Sequence, residues 1–149
     1  IAPKGYDRGK MAQLGLLHDI SEIFGEDYTP VDGITATQKE KLEHKALKKF
    51  LHLLPAPVGK EWESLWEEME NQTSKEAKLV KDAEVLDVLF QALEYQKIGN
   101  FKKDLTEFWA RDIARLKTPI GKKLGKEIDA AWPKAAKKKF DAGKYKYYY

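Results

Sequence analysis

Cysteine is absent from the 149 residues, and this absence excludes disulfide bonds and thiolate metal ligands. No apolar run approaches the roughly 18 residues that a membrane-spanning helix needs, and no secretory signal pattern opens the chain. These absences favour a soluble cytoplasmic protein that does not contact a membrane. The length favours one domain, large enough to bury most of the surface that its unfolded chain exposes.

Positive charge is concentrated near the C-terminus. The formal net charge is +3, but residues 117–149 alone carry +7, so residues 1–116 carry −4. A negatively charged body is not typical of a nucleic-acid-binding domain, so a nucleic-acid partner is not expected. The segment after Pro133, KAAKKKFDAGKYKYYY, has no apolar stripe. We expect a domain over residues 1–132 and a basic, tyrosine-rich tail over 133–149, either poorly ordered or an artefact; a contact with phosphate or a partner is the alternative.

Helix signals dominate the sequence. Asp7 suits the N-cap of a helix that runs to about Phe24 and ends at Gly25. A loop then continues to a threonine N-cap at Thr35 or Thr37. Further helices are predicted in QKEKLEHKALKKFLHLLP, KEWESLWEEMEN, TSKEAKLVKDAEVLDVLFQALEYQKIGN, DLTEFWARDIARL and IGKKLGKEIDAAW. No stretch alternates with period two for long enough to make a sheet, so the predicted fold class is all-α.

A histidine and several acids directly follow an apolar run in GLLHDISEIFGED. His18 and Glu22 are four residues apart and Asp19 and Glu22 are three apart, so on a helix the three side chains converge on one face. Imidazole and carboxylate groups are ligands for divalent metals. The spacing therefore indicates a metal site, with ordinary capping, surface exposure and ion pairing as the alternative.

A second polar group lies on a helix that is otherwise apolar. In AEVLDVLFQAL the polar residues are Glu84, Asp87 and Gln91, and their spacing places them on one stripe. A buried carboxylate without a partner is costly to desolvate, so the stripe must face solvent, meet cations or ligate a metal. We interpret it as a polar cleft or a metal site. His44 and His52, in a lysine-rich helix, are interpreted as surface or boundary residues.

The order of the motifs LLHDISEIFGEDYTP, QKEKLEHKAL, LLP, LWEEME, SKEAKLVKDAEVLDVLFQALEY and FW resembles the HD-domain metal-dependent phosphohydrolases, and within them the 5′-deoxynucleotidase branch. The resemblance runs from about Asp7 to about Leu124. It implies an all-helical bundle that binds one divalent metal, with Co²⁺, Mn²⁺, Mg²⁺, Zn²⁺ and Ni²⁺ as candidates. It also implies a deoxyribonucleoside 5′-monophosphate as substrate and a homodimeric assembly.

The resemblance implies a set of metal ligands. His18 and Asp19 match the central pair of the family, and Glu84 stands where the family has a metal-binding Asp. Its extra methylene puts the metal affinity or metal choice in question, and Asp87 is the substitute ligand. The first metal-binding His of the family lies well upstream, where this chain has seventeen residues and no histidine. Since the chain also begins with Ile1, we expect an N-terminally incomplete bundle.

The resemblance also implies catalytic and substrate-binding residues. Glu22 and Asp27 match acids near the phosphate and the leaving group. Glu22 would orient or deprotonate the attacking water, and Asp27 would protonate or hydrogen-bond the leaving 5′ oxygen. Lys39 and Lys81 are candidate phosphate ligands.

Three other functions stay open at this point. A degenerate HD domain would act as a nucleotide-responsive or assembly subunit without catalysis, and the glutamate at position 84 favours this alternative. Another HD chemistry would hydrolyse nucleoside triphosphates or signalling nucleotides. Nucleic-acid binding through the lysine-rich tail is the third, and it would depend steeply on salt.

Overall fold

The computed structural model describes residues 2–25, 35–99 and 105–139, and in this part of the chain it contains seven α-helices and no strand. The all-α prediction is therefore confirmed. The helices are α1 Arg8–Leu17, α2 Ala36–Leu51, α3 Ala56–Asn71, α4 Lys75–Ile98, α5 Thr106–Asp112, α6 Pro119–Ala131 and α7 Lys134–Lys139, with 3₁₀ helices at Ile20–Ile23 and Ile113–Arg115. None of the described helices is both long and apolar enough to cross a membrane.

The first helix begins where the sequence predicts but ends earlier. Asp7 is its N-cap and accepts a hydrogen bond from the Lys10 backbone N–H at 3.0 Å. The predicted end near Phe24 is wrong, because α1 stops at Leu17. The His18 Nδ1 lies 2.6 Å from the Gly15 carbonyl oxygen, the acceptor that the next helical N–H would use. The chain then continues as a 3₁₀ helix.

The chain divides into two compact units, Ile1–Val80 and Lys81–Tyr149. Two apolar clusters hold the first unit together. Leu14 packs with Met69, Ala77 and Val80. The second cluster contains Leu17, Ile20, Leu47 and Trp66. Because Leu17 and Ile20 lie on either side of residues 18 and 19, this second cluster anchors the segment where α1 ends.

An ion pair joins α1 to α3 in the first unit. Lys10 Nζ lies 2.7 Å from Glu68 Oε2. Burial by itself raises the pKa of the Glu68 carboxyl, but hydrogen bonds from Lys10 and Ser74 outweigh burial and lower this pKa below its usual value. The hydrogen bond with Glu68 raises the pKa of Lys10. Both shifts show that the folded state favours the charged forms of the pair.

The core of the second unit is built on α4. Its buried members are Val85, Leu86, Leu89, Ala92, Leu93, Leu116, Ile128, Trp132 and Ala136. Ala136 belongs to α7, and Lys137 Nζ on the same helix donates to the Asp129 carbonyl oxygen at 2.6 Å. The structure thus has a helix over the first residues of the segment assigned to the tail, because Ala136 packs on this core. Residues 140–149 lie outside the described residues, and the domain boundary stays a prediction.

Asp82 joins α4 to the start of α6. Its side chain is 2% exposed, and it accepts hydrogen bonds from the Lys117 N–H at 2.8 Å and from the Thr118 N–H at 2.7 Å. The Thr118 hydroxyl donates a third at 2.6 Å and caps α6 by accepting from the Gly121 N–H. A β-carbon on Gly121 would overlap the Asp82 carboxylate. The glycine is therefore required for the close approach of α6 to this side chain.

We expect Gly121→Ala to lower the free energy of unfolding by about 1–3 kcal/mol, because the added methyl group meets Asp82. Gly15→Ala is the matched control, since a β-carbon there meets nothing within 4 Å and the residue lies inside α1. We expect this control to raise the stability by about 0.5–1 kcal/mol. Urea unfolding followed by circular dichroism measures both values; equal stability of the two variants would contradict the contact at Gly121.

We expect Glu68→Gln to lower the free energy of unfolding by about 1 kcal/mol at neutral pH. The folded-state pKa of Glu68 lies below its unfolded value of about 4.3, so its contribution is full above that value and is lost as the pH falls through the folded-state pKa. The difference between variant and wild type should therefore vanish in acid. Urea titrations across acidic pH measure it, and Glu67→Gln, at an exposed neighbour on α3, should show no such trend.

Candidate functional site

His18 and Asp19 face each other at the end of α1. The His18 Nε2 lies 2.6 Å from Asp19 Oδ2, and the two side chains are 33% and 58% exposed. The other ring nitrogen, Nδ1, lies 2.6 Å from the Gly15 carbonyl oxygen. The pair is therefore held by backbone on one side and open to solvent on the other.

The donor set of this pair fits a cation. A carbonyl oxygen can only accept, so the contact with Gly15 places a proton on Nδ1 of His18. Nε2 then carries a lone pair beside the Asp19 carboxylate oxygen, and a lone pair and a carboxylate oxygen are both donor atoms for a divalent metal. Metal-binding histidines in proteins commonly donate their second N–H to a backbone carbonyl in this way. His18 and Asp19 are therefore suited to hold a divalent metal together.

The surroundings fix the backbone on which the pair is carried. A β-carbon on Gly25 would lie 2.9 Å from the Ser21 carbonyl oxygen and 3.3 Å from Ala46 Cβ. The absence of a side chain at Gly25 thus lets α2 pack closely against the 3₁₀ helix Ile20–Ile23. Trp66 is 3% exposed and packs in the same cluster as Leu47. This packing leaves little freedom to the segment that carries His18 and Asp19.

Of the two predicted catalytic acids, the structure describes Glu22 but not Asp27. Glu22 lies in the 3₁₀ helix and is exposed, and its backbone N–H donates to the Asp19 carbonyl oxygen at 2.9 Å. The expected convergence of His18 and Glu22 on one α-helical face is not found, because α1 ends at Leu17. Asp27 lies outside the described residues. The catalytic roles of both acids stay predictions.

The polar stripe on α4 is at the surface of the second unit. Asp87 and Gln91 are exposed, and the Glu84 side chain is 29% exposed. Lys81 Nζ lies 3.1 Å from Glu84 Oε2. Of the three explanations for the stripe, exposure to solvent accounts for Asp87 and Gln91, and contact with a cation accounts for Glu84.

The two lysines that the sequence indicates are in ion pairs, and the two histidines of α2 and its C-cap lie at the surface or its boundary. Lys39 Nζ lies 3.6 Å from Glu43 Oε1, so Lys39, like Lys81, is in an ion pair with a carboxylate of its own helix. His44 is half-buried with its ring edge-on to Trp66 at 4.8 Å, and His52 is exposed. The interpretation of both histidines as surface or boundary residues agrees with these positions.

Within the described residues of either unit, no three His, Cys, Asp or Glu side chains form a cluster that could hold a metal. The first unit contributes His18 and Asp19 to the predicted ligand set, and the second contributes Glu84. The complete set therefore stays a prediction.

Asp82 is a buried polar residue on α4 that sequence reasoning missed. The buried positions after it are Val85, Leu86 and Leu89, at spacings of three, four and seven residues, so Asp82 is in phase with the core. Glu84, by contrast, falls between these positions. The phase of Asp82 can be read from the sequence, but the distant hydrogen-bond donors that a buried carboxylate needs cannot.

Known proteins are similar to this chain over most of its length. The profile of the HD domain family matches residues 2–124. A protein of Bos taurus named 5′-deoxynucleotidase HDDC2 is 32% identical over 124 residues, which cover 83% of this chain and 60% of the relative. HDDC2 of Dictyostelium discoideum is 34% identical over 131 residues, covering 85% and 68%. The 5′-deoxynucleotidase YGK1 of Saccharomyces cerevisiae is 33% identical over 112 residues, covering 72% and 52%. The chain thus spans only part of the length of these relatives.

We expect His18→Ala and Asp19→Ala each to lower the affinity for Mn²⁺ or Co²⁺ at least about 10-fold, because each removes one of two adjacent donors. His52→Ala is the matched control, since the His52 Nδ1 also lies 2.6 Å from a backbone carbonyl oxygen, that of Lys48. Isothermal titration calorimetry measures the affinities. If the two site variants bound metal as tightly as the His52 control, the assignment of His18 and Asp19 as ligands would be wrong.

Proposed function

Because this chain belongs to the HD domain family, we propose that it is a metal-dependent phosphomonoesterase acting on deoxyribonucleoside 5′-monophosphates. Its products would be the nucleoside and phosphate. The contact between His18 and Asp19, with the histidine oriented by the Gly15 carbonyl, is the observation that carries the proposal. The substrate class is supported by the names of the three relatives, all 5′-deoxynucleotidases.

We propose that His18, Asp19 and Glu84 hold the divalent ion. When bound, such an ion makes water a stronger acid and polarises a phosphoryl oxygen. His18 would offer the lone pair of Nε2, because Nδ1 is occupied by its hydrogen bond to Gly15. Asp19 and Glu84 would each offer a carboxylate oxygen, the hard type of ligand that balances a doubly charged ion.

Glu22 and Asp27 would move the two protons of the reaction. The bond from the water oxygen to phosphorus forms while the bond from phosphorus to the 5′ oxygen breaks. A Glu22 carboxylate oxygen would take the proton from the attacking water, and Asp27 would give a proton to the departing 5′ oxygen. The exposed position of Glu22, one 3₁₀ turn after Asp19, supports this role, since a base must be reachable by solvent water.

The two lysines differ in how well they suit the phosphate group. Lys81 is paired with Glu84 at 3.1 Å, so we propose that it orients the Glu84 carboxylate rather than binding substrate. Lys39 is paired with Glu43 at the longer distance of 3.6 Å and belongs to the first unit with His18. Lys39 is thus the better candidate for contact with the phosphate.

A domain that binds nucleotides without turnover is the second candidate function. It is favoured by Glu84, which stands in place of the aspartate that the resemblance implies as a metal ligand. In this alternative the site would still recognise a nucleotide, but the metal would be bound too weakly for catalysis.

We expect this chain with Co²⁺ or Mn²⁺ to release phosphate from dAMP, dGMP, dCMP, dTMP or dUMP. Asp19→Ala and Glu22→Ala should each lower kcat by about 10²–10⁴-fold, because the first removes a ligand and the second removes the base. A malachite green assay for phosphate measures the rates.

Glu94→Gln is the control for this assay, since Glu94 is exposed on α4 and is paired with Lys97 at 3.0 Å. Its rate should equal that of the wild type. Equal phosphate release by wild type, Asp19→Ala and Glu22→Ala would rule out the proposed roles. Nucleotide binding by calorimetry without any release of phosphate would support the second candidate function.

A further inference from the structure

The helices α2 and α3 form an antiparallel pair within the first unit. The rings of Phe50 and Trp62 are stacked with their centroids 5.8 Å apart, and the His44 ring lies edge-on to Trp66 at 4.8 Å. The contacts thus move towards the start of α2 as they move towards the end of α3. Residues 52–55 join the two helices, a length typical of a helical hairpin. The C-terminal half of α2 therefore lies beside the N-terminal half of α3.

Two cavities adjoin on one side of this helix pair. Among the described residues, a cavity of about 820 Å³ is lined by α2 and its C-cap, and a cavity of about 410 Å³ is lined by α2 and α3. Glu40 and His44 line both cavities, so these two residues mark their border. We call the surface that carries both cavities the α2–α3 face. Since protein interfaces pack closely, cavities on one partner are filled by side chains of the other.

The α2–α3 face carries opposite charges at its two ends. The basic end lines the larger cavity and consists of the exposed residues Lys41, Lys45, Lys48 and Lys49. The acidic end lines the smaller cavity and consists of Glu40, Glu43, Glu67 and Glu70. Glu63, on the half of α3 beside the basic end, and Lys39, which lines the smaller cavity, each offset a single charge. The two ends therefore keep opposite signs.

This charge pattern is complementary to itself. In a two-fold contact the same surface serves both copies of a chain. When the copies face each other in opposite directions, the basic end of each meets the acidic end of the other, so the favourable contact forms twice. When they face each other in the same direction, like charges meet, which is unfavourable. The pattern therefore favours one mutual orientation of two copies.

We propose that two copies of this chain associate through the α2–α3 face, with the basic end of each copy against the acidic end of the other. The resemblance implies a homodimer, but it assigns no surface to that dimer. The α2–α3 face contains neither His18 nor Asp19, so this assignment is independent of the proposed function.

A polyanion, such as a single-stranded nucleic acid, is the competing occupant of the basic end. Its phosphate groups would match the lysines, but the carboxylates of the acidic end would repel them. The negative charge that residues 1–116 carry as a whole opposes such a ligand as well. A second copy of the chain, by contrast, supplies both of the charges that the α2–α3 face requires.

The test reverses the charge of each end in turn. Lys45→Glu combined with Lys48→Glu reverses the sign of the basic end, and we call this double substitution the α2 variant. Glu67→Lys combined with Glu70→Lys reverses the sign of the acidic end, and we call it the α3 variant. Lysine and glutamate have similar helix propensities, so both helices should be retained.

The control is Lys123→Glu combined with Lys126→Glu. Both lysines are exposed on α6, and they are three residues apart, as Lys45 and Lys48 are. The control thus changes the net charge by as much as the α2 variant does, outside the α2–α3 face. Sedimentation velocity over a range of protein concentrations measures the dissociation constant of the dimer. Circular dichroism establishes that each variant is folded.

We expect the wild type and the control to form dimers with similar dissociation constants. The α2 variant and the α3 variant should each associate about 100-fold more weakly, because like charges then meet at both ends of the contact. An equimolar mixture of the two variants should associate as the wild type does. In that mixture one copy carries two negative ends and the other carries two positive ends, so every contact is again between opposite charges.

Three results would overturn the proposal: a wild type that stays monomeric, variants that dimerise like the control, or a mixture of the two variants that does not associate. A monomeric wild type that binds labelled oligo(dT), with binding lost in the α2 variant, would assign the basic end to a polyanion instead. Phosphate release is measured separately, and its result bears only on the proposed function.

Discussion

The cost of burying a polar group without a hydrogen bond shapes both units of this protein. In the second unit Asp82, 2% exposed, meets this cost with two backbone amides and a hydroxyl. Asp112 meets it with two guanidinium groups, and the buried Trp132 indole donates to Thr106 at 3.3 Å. The contacts of Asp82 and Trp132 join segments that are distant in the sequence, whereas those of Asp112 are local.

The same constraint acts on the backbone where α1 ends. The Gly15 carbonyl oxygen lies 2.6 Å from a ring nitrogen of His18, so a side chain takes the place of the next helical N–H. The chain then turns into a 3₁₀ helix, and Leu17 and Ile20 remain buried on either side of the turn. Because the backbone turns there, His18 Nε2 and the Asp19 carboxylate face each other. The end of α1 and the contact between His18 and Asp19 thus depend on the same turn of the backbone.

An ion pair and an apolar cluster of the first unit hold the end of α1 in place. The Lys10–Glu68 pair ties α1 to α3, and the lowered pKa of Glu68 shows that its charged form is favoured in the fold. Leu47 of α2 and Trp66 of α3 pack with Leu17 and Ile20. Buried apolar contacts thus hold the backbone on either side of His18 and Asp19, while the side chains of these two residues remain partly open to solvent.

Much of the fold could be predicted from local sequence. The N-cap at Asp7 was expected, and Thr35 was one of the two threonines expected to cap α2; each accepts a hydrogen bond from a backbone N–H in the first turn of its helix. Capping depends on residues within three positions, so it is visible in a short window. The all-α class and the choice of His18 and Asp19 as a pair likewise depend on neighbouring residues and on the order of motifs.

Tertiary structure decided the features that depend on distant or competing partners. The amphipathic pattern did not show that α1 stops at Leu17, because a side chain competes there with the helical hydrogen bond. Nor did it show that Asp82 of α4 is buried: the donors that make its burial tolerable are supplied by Lys117 and Thr118, 35 and 36 residues away. The sequence by itself determined the helices and the candidate donors, since both are set by local chemistry. Only packing determined which carboxylate entered the core, since that choice depends on partners that no local window contains.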